Sequence, residues 1–272
     1  MKNPTSQGGL RVHAPTSERP ADKHKLVVEN LSAFYGQTKV LDDVSMPIHY
    51  RRVTGIIGPT GSGKSTFVRC LCRMHETEEG ARSTGSVFLE GRNIFGARVD
   101  PVEVRRRIQL VQSEPLLFPS MSVRDNVLAG HLLGGKLPSD ADSRVETVLQ
   151  KTSLWDDLRD RLDEPCVGLS RSIRVRLCIA RSLALDPEVL VLDEPSQHLD
   201  PVATSQIEEL FRELHEEYTL VVVTQSLQQA ARISDYPAFF SRGELVEFDE
   251  SDLLFTRPSD PRTEDYITGR VG

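Results

Sequence analysis

The chain has 272 residues, of which 38% are hydrophobic and 27% charged, a composition that supports a full α/β core in a single globular domain. A formal net charge of -7 argues against nucleic acid as the main ligand. The apolar runs are only a few residues long and the N-terminus lacks the apolar stretch of a signal peptide, so membrane association is expected to run through a partner.

Residues 1–24 are rich in Pro, Ser, Gly and charge without apolar periodicity, which predicts a disordered tail ahead of one domain over 25–272. Strand-like stretches follow at Leu26-Val27-Val28, at Val40-Leu41 and from Val53 to Ile57, with Phe34 and Tyr35 placed just before a turn at Gly36. The run Gly58-Pro59-Thr60-Gly61-Ser62-Gly63-Lys64-Ser65 then fits G-x-x-x-x-G-K-[ST], and it lies between an apolar strand and a helix-like stretch from Thr66 to Cys72. In that setting the pattern describes a phosphate cradle. The glycines let the backbone curl so that its N–H groups point inward, and a helix starting near Gly63 adds the positive end of its dipole. Lys64 would reach the β- and γ-phosphates, and the Ser65 hydroxyl would ligate Mg²⁺.

From Pro119 to Gly168 the pattern turns helical. Val145, Val148 and Leu149 fall at i, i+3 and i+4, followed by Leu154, Trp155, Leu158 and Leu162, with Trp155 most simply a core residue. Ser172 to Leu185 reads as a helix. Val189-Leu190-Val191-Leu192 reads as a strand buried on both faces, delivering Asp193 and Glu194 at its C-terminal end. An aspartate there can hold Mg²⁺ and the adjacent glutamate can activate a water. Thr219 to Val223 is a second buried strand, and Ala238 to Phe248 a hairpin around Ser241-Arg242-Gly243. Cys70, Cys72, Cys166 and Cys178 have neither zinc-site nor disulfide-framework spacing and are expected as buried thiols in a reducing compartment.

A nucleotide-type core interrupted by a helical insertion and closed by further strands resembles the ATP-binding-cassette ATPases. Gly80-Ala81-Arg82, Val104-Arg105-Arg106-Arg107-Ile108, Arg176-Leu177-Cys178-Ile179-Ala180-Arg181, Gln228 to Tyr236 and Thr263 to Arg270 narrow the resemblance to the ATP-binding subunits of bacterial phosphate importers. The similarity runs from about residue 26 to the C-terminus. It implies an α/β P-loop NTPase core with a helical subdomain at about 119–170 and an antiparallel β-subdomain. It implies ATP and Mg²⁺ as cofactors, with Tyr35 stacked on adenine, Gly58 to Thr66 around the phosphates (Gly58, Pro59, Thr60, Gly61, Ser62, Gly63, Lys64, Ser65 and Thr66), Ser65 and Asp193 on the metal, and Glu194 as base. It also implies a head-to-tail dimer, either of two copies or with another such ATPase subunit, beneath two membrane permease subunits. The expected location is peripheral, at the cytoplasmic face of the membrane, with a periplasmic phosphate-binding protein acting only indirectly.

Four departures from the family pattern qualify the resemblance. A glutamine that touches Mg²⁺ and the attacking water in family members is replaced by Ser113, with Gln112 one position early; in an extended segment that shift turns the side chain to the opposite face. The signature Leu-Ser-Gly-Gly-Gln is written Leu169-Ser170-Arg171-Ser172-Ile173. Ser170 can still bond phosphate, but side chains at the two glycine positions are expected to obstruct close approach and to cost about 1–2 kcal/mol each where φ is positive. Gln225 stands where a histidine supports the catalytic glutamate, and Gln197-His198 replace Ser-Ala in the loop beyond it. Because each composite site combines one chain's cradle with the other chain's signature, no dimer containing this chain has a fully intact site. The expectation is Mg-ATP binding with slow hydrolysis driving import. The alternative is a catalytically impaired subunit that binds ATP and regulates a transporter or phosphate signalling.

Overall fold

The computed structural model describes residues 23–270. Residues 1–22 of the expected tail therefore lie outside the described residues, while His24 already opens the first strand. Strands β1 (His24–Tyr35) and β2 (Thr38–His49) form a hairpin, and β3 (Val53–Ile57) leads into helix α1 (Lys64–Leu71). β4 (Ala81–Leu89) returns to pair with β1, β5 (Arg92–Asn93) adds a short edge, and α2 (Pro101–Arg107) precedes β6 (Ile108–Val111). Short helices follow: α3 (Val123–Val127), α4 (Ala129–Leu133), α5 (Ala141–Lys151) and α6 (Trp155–Leu158), then the longer α7 (Arg171–Leu183). The chain continues through β7 (Val189–Asp193), α8 (Pro201–Leu214), β8 (Thr219–Val223) and α9 (Leu227–Ile233). It closes with the hairpin β9 (Tyr236–Ser241) and β10 (Glu244–Phe248), then α10 (Ser251–Thr256) and α11 (Pro261–Ile267).

These strands build two sheets. The first is antiparallel, in the order β2-β1-β4-β5; the second runs β10-β9-β3-β8-β7-β6, with β10 antiparallel to β9 and every other neighbouring pair parallel. Every residue of β3, β7 and β8 is buried, which explains their unbroken apolar sequences: helices or the first sheet cover both faces. Side chains alternate between two cores. Leu190, Leu192, Leu220 and Val222 pack with α5, α7 and α8, while Val189, Val191, Val221 and Val223 pack with α1 and the antiparallel sheet.

Local chemistry fixes the helix starts. Asp200 caps α8 by accepting from the amides of Val202 and Ala203, both at 2.9 Å, and Pro201 occupies the first helical position, where its missing N–H costs nothing. Ile207, Leu210, Phe211 and Leu214 then form the buried stripe of that helix. The helical segment is tied to α7 by the fully buried Asn126. Its side chain exchanges hydrogen bonds with the Phe118 backbone at 2.9 and 3.0 Å and accepts from Arg181 at 2.7 Å. Trp155 is half-buried against the same core, and all four cysteines are buried free thiols. No helix among the described residues is long and apolar enough to cross a membrane.

Phe211 is completely buried between α8 and the sheet. Phe211→Ala should lower unfolding free energy by about 3–5 kcal/mol in urea titrations; a loss below about 1 kcal/mol would contradict this packing.

Candidate active site

Parallel pairing brings the sequence-separated site residues to one edge. Ile56 pairs with Val223, and Val223 with Asp193, so the segments beginning at Gly58, Glu194 and Thr224 leave the same C-terminal edge of the sheet side by side. The loop from Gly58 to Gly63 then bends as only glycines allow. Gly58 has φ 145° and a Cβ there would stand 2.1 Å from the Phe240 carbonyl oxygen; Gly63 has φ 98° and would meet Leu41 at 2.8 Å. Gly63 is the N-cap and α1 starts at Lys64, in line with the helix start expected near Gly63 and ahead of the helix-like stretch from Thr66.

A cavity of about 200 Å³ opens above this helix start, lined by Val40, Thr60, Gly61, Gly63, Lys64, Ser65, Thr66, Glu194 and Gln225. Lys64 is buried and its ammonium donates to the carbonyls of Gly58 at 2.7 Å and Pro59 at 2.8 Å. Burial lowers its pKa from the ordinary 10.5, and the nearby Glu194 and Asp193 carboxylates oppose that shift. Ser65 Oγ donates to Asp193 Oδ1 at 3.1 Å. The Asp193 carboxyl is raised above its ordinary 3.8, chiefly by burial, against the pull of the Ser65 hydrogen bond. Gln225 Nε2 donates to Glu194 Oε1 at 2.7 Å, and Gln225 Oε1 accepts from Thr60 at 3.2 Å.

These groups fit a nucleotide with a hard cation. Ser65 and Asp193 offer two oxygen donors side by side, while no group of three or more His, Cys, Asp or Glu side chains suited to a metal occurs among the described residues. Two protein oxygens completed by phosphates and water suit Mg²⁺, which keeps several waters and seldom takes an all-protein cage. The Ser62 hydroxyl is buried without a hydrogen-bond partner inside the loop, a donor still to be used.

Other sequence-predicted residues lie apart from this cavity. Tyr35 is half-buried and meets the His75 ring edge-on at 4.7 Å, outside the cavity lining. β6 ends at Val111, so Gln112 and Ser113 are in irregular chain; Gln112 is exposed and neither residue lines the cavity. The exposed Ser170 caps α7, its hydroxyl accepting from the Ile173 amide at 3.3 Å.

The signature region corrects one expectation. Arg171 and Ser172 open α7 with helical backbone and are absent from the positive-φ residues, so the strain expected for side chains at these positions does not arise. Arg171 is also tied down within its own chain. Its guanidinium turns back onto its own chain, donating to the Gln197 carbonyl at 2.9 Å, the Ser113 carbonyl at 2.8 Å and Glu114 at 2.9 Å. Glu114 and the second-turn Arg174, which grips the Pro115 carbonyl at 2.9 Å, are the residues that sequence reasoning missed. The only available signal was the charge reversal between Glu114 and the two arginines.

A glycine-rich loop between a buried strand and a helix, with paired acids at the end of a neighbouring strand, defines a P-loop nucleotide-binding protein. Residues 41–197 match the family described as ABC transporter. The chain is 49% identical over 254 residues to a phosphate import ATP-binding protein PstB of Rubrobacter xylanophilus, covering 91% of this chain and 89% of that one. A PstB 1 of Vibrio vulnificus is 47% identical over 266 residues, covering 97% of each. Among solved structures, cbiO1 from Clostridium perfringens, part of the ABC transporter complex cbiONQ, superimposes with a TM-score of 0.75 at 27% identity, covering 92% of this chain and 97% of that one. A bacterial Atm1-family ABC exporter with ATP bound shares the fold at a TM-score of 0.76 and 21% identity, over 96% of this chain and 45% of that one. The chain belongs to the ABC transporter family, as an ABC-type ATP-binding subunit.

Lys64→Ala should remove most Mg-ATP affinity in calorimetric titration, whereas wild-type affinity in that variant would contradict the cradle. Asp193→Asn should separate stability from binding. The raised native pKa means that the ionised carboxylate costs folding energy at neutral pH, a cost that fades as pH falls through the native value. The variant should therefore melt higher than wild type without nucleotide while losing the Mg²⁺ dependence of ATP binding; a lower melting temperature would contradict the burial argument.

Proposed function

We propose that this chain is the Mg-ATP-binding subunit of an inorganic phosphate importer and that it hydrolyses ATP slowly. The reading is carried by one observation: the glycine-rich loop, Lys64, Ser65 with its Asp193 partner, and Glu194 with its Gln225 partner meet at one cavity. The named relatives support phosphate as the solute. In this reading the domain spans 25–272 with a helical subdomain at about 119–170. Two cassettes, identical or different, face each other beneath two permease subunits at the cytoplasmic face of the membrane, and a phosphate-binding protein acts on the far side.

The chemistry follows from the side chains. Lys64 exchanges its carbonyl partners for phosphate oxygens, the loop amides and the start of α1 hold the remaining negative charge, and Ser65 with Asp193 holds Mg²⁺. Mg²⁺ held by these two side chains would supply positive charge to the phosphate oxygens. Glu194 accepts a proton from the attacking water. Gln225 donates to that same carboxylate, and its amide can orient Glu194 yet cannot carry charge or take up a proton as imidazole does. Arg171 spends three of its five N–H donors on partners of its own chain, which favours a task there over one at a second chain's nucleotide. The same feature favours the second reading, a regulatory subunit that binds ATP without turning it over.

Losing a positioned acid–base or phosphate-contacting group typically costs about 10²–10⁴-fold in rate, so steady-state ATPase should fall that far below an intact relative assayed alongside. Gln225→His alone should leave a homodimer slow. Family-level turnover by the wild type would overturn the impairment. For the solute, cells carrying Lys64→Ala in the native copy should lose uptake of radiolabelled phosphate under phosphate limitation, and unchanged uptake would remove this chain from that process.

A further inference from the structure

Hydrogen bonds run without a break from the cradle to the first turn of α7. Thr60 donates to Gln225 at 3.2 Å and Gln225 to Glu194 at 2.7 Å. The Gln197 amide closes a turn on the Glu194 carbonyl at 3.1 Å, and the Gln197 carbonyl accepts from Arg171 Nε at 2.9 Å. Arg171 passes the connection to the Ser113 carbonyl at 2.8 Å and to Glu114 at 2.9 Å. Gln225, Gln197, Arg171 and Ser113 come one from each of the four departures from the family pattern, and here they occupy one chain of contacts.

The turn at the centre of this chain needs outside support. Glu194 and His198 both adopt left-handed backbone, at φ 51° and 61°, although neither is glycine. Such conformations persist only where the surroundings hold them. Pro195 is buried, Leu199 packs on the core and the Glu194 amide donates to the Val223 carbonyl at 3.0 Å, but a cavity of about 320 Å³ bounded by Glu194, Ser196, Gln197, Gln225 and Gln229 lies against the turn. On that open side hydrogen bonds supply the hold. The planar guanidinium reaches three acceptors in different directions at once, which a lysine ammonium on the same stem cannot reproduce. The ion pair with Glu114, whose side chain is 56% exposed, adds little by itself; the two loop carbonyls are the contacts that fix geometry.

We propose that Arg171 is a positioning residue for the ATP site of its own chain: by holding the Gln197 carbonyl it fixes the turn that aims Glu194 at the cradle, and it couples that turn to residues 113–115. This rests on the reading of the cradle and Glu194 as the Mg-ATP site. It goes further in giving a signature-position residue a task within one chain rather than across a dimer.

Hydrogen exchange on the nucleotide-free full chain, combined with Mg-ATP titration, tests the assignment. Arg171→Ala should speed exchange of the amides of Glu194, Ser196, Gln197 and His198 and weaken Mg-ATP binding by about threefold to tenfold. Arg171→Lys should recover little of either, while Glu114→Gln, which leaves both carbonyl contacts, should exchange like wild type at 194–198. Adding Arg171→Ala to Gln225→Ala should weaken binding no further than Gln225→Ala alone, since both act through Glu194. Should Arg171→Ala fail to fold, the lysine variant carries the exchange measurement. Unchanged exchange at 194–198, wild-type affinity, or losses that multiply in the double variant would overturn the inference while wild-type binding upholds the cradle. A wild type that binds no Mg-ATP would overturn both together.

Discussion

The site exists because three short strands are buried on both faces and run in the same direction. β8 pairs with β3 on one side and β7 on the other, β9 and β6 pair with their outer edges, and parallel pairing puts the C-terminal ends at one edge. Gly58, Asp193 and Gln225 are brought together by that register although 135 residues separate the first two. The alternation of side chains between two cores then makes a one-residue slip costly, since it would exchange the Leu190 and Val191 faces and turn each set toward the wrong layer.

That rigid edge carries groups that gain nothing from the protein's own interior. Lys64 and Asp193 are buried, and burial disfavours the charged form of each. The Ser62 hydroxyl has no hydrogen-bond partner among the described residues, and a Cβ at Gly58 or Gly63 would collide with neighbouring strands. Stability is given up locally for a cavity lined by the start of α1 and by Lys64. This is preorganisation of the kind that anion binding rewards, because little remains to be ordered when the ligand arrives.

Much of this was legible in the sequence where a residue type answers a local need. Unbroken aliphatic runs marked the buried strands at Val189 and Thr219, and the glycine spacing marked the cradle. The start of α1 was legible from the cradle motif, which places it near Gly63, and not from the apolar pattern, which begins only at Thr66. The signature region was harder. Glycines replaced by Arg and Ser suggested backbone strain, but the helix begins at Arg171 itself and none arises. The path of the Arg171 side chain depends on carbonyls at Ser113 and Gln197, which only the pairing of β6 with β7 brings near. Asn126 is hidden for the same reason: its value lies in the backbone of Phe118 and the guanidinium of Arg181, not in any pattern around it.

The central claim is that Glu194 stands in a competent site and that turnover is limited by what surrounds it. The most direct measurement pairs this chain with an intact relative whose catalytic glutamate has been disabled, so that only Glu194 can hydrolyse ATP and the partner contributes an unaltered signature. Tagged co-purification with ATP establishes that the mixed dimer forms. The account predicts that this dimer turns over ATP faster than the present chain alone and that Glu194→Gln abolishes the gain. A mixed dimer that forms, binds nucleotide on both chains and stays inactive would contradict it.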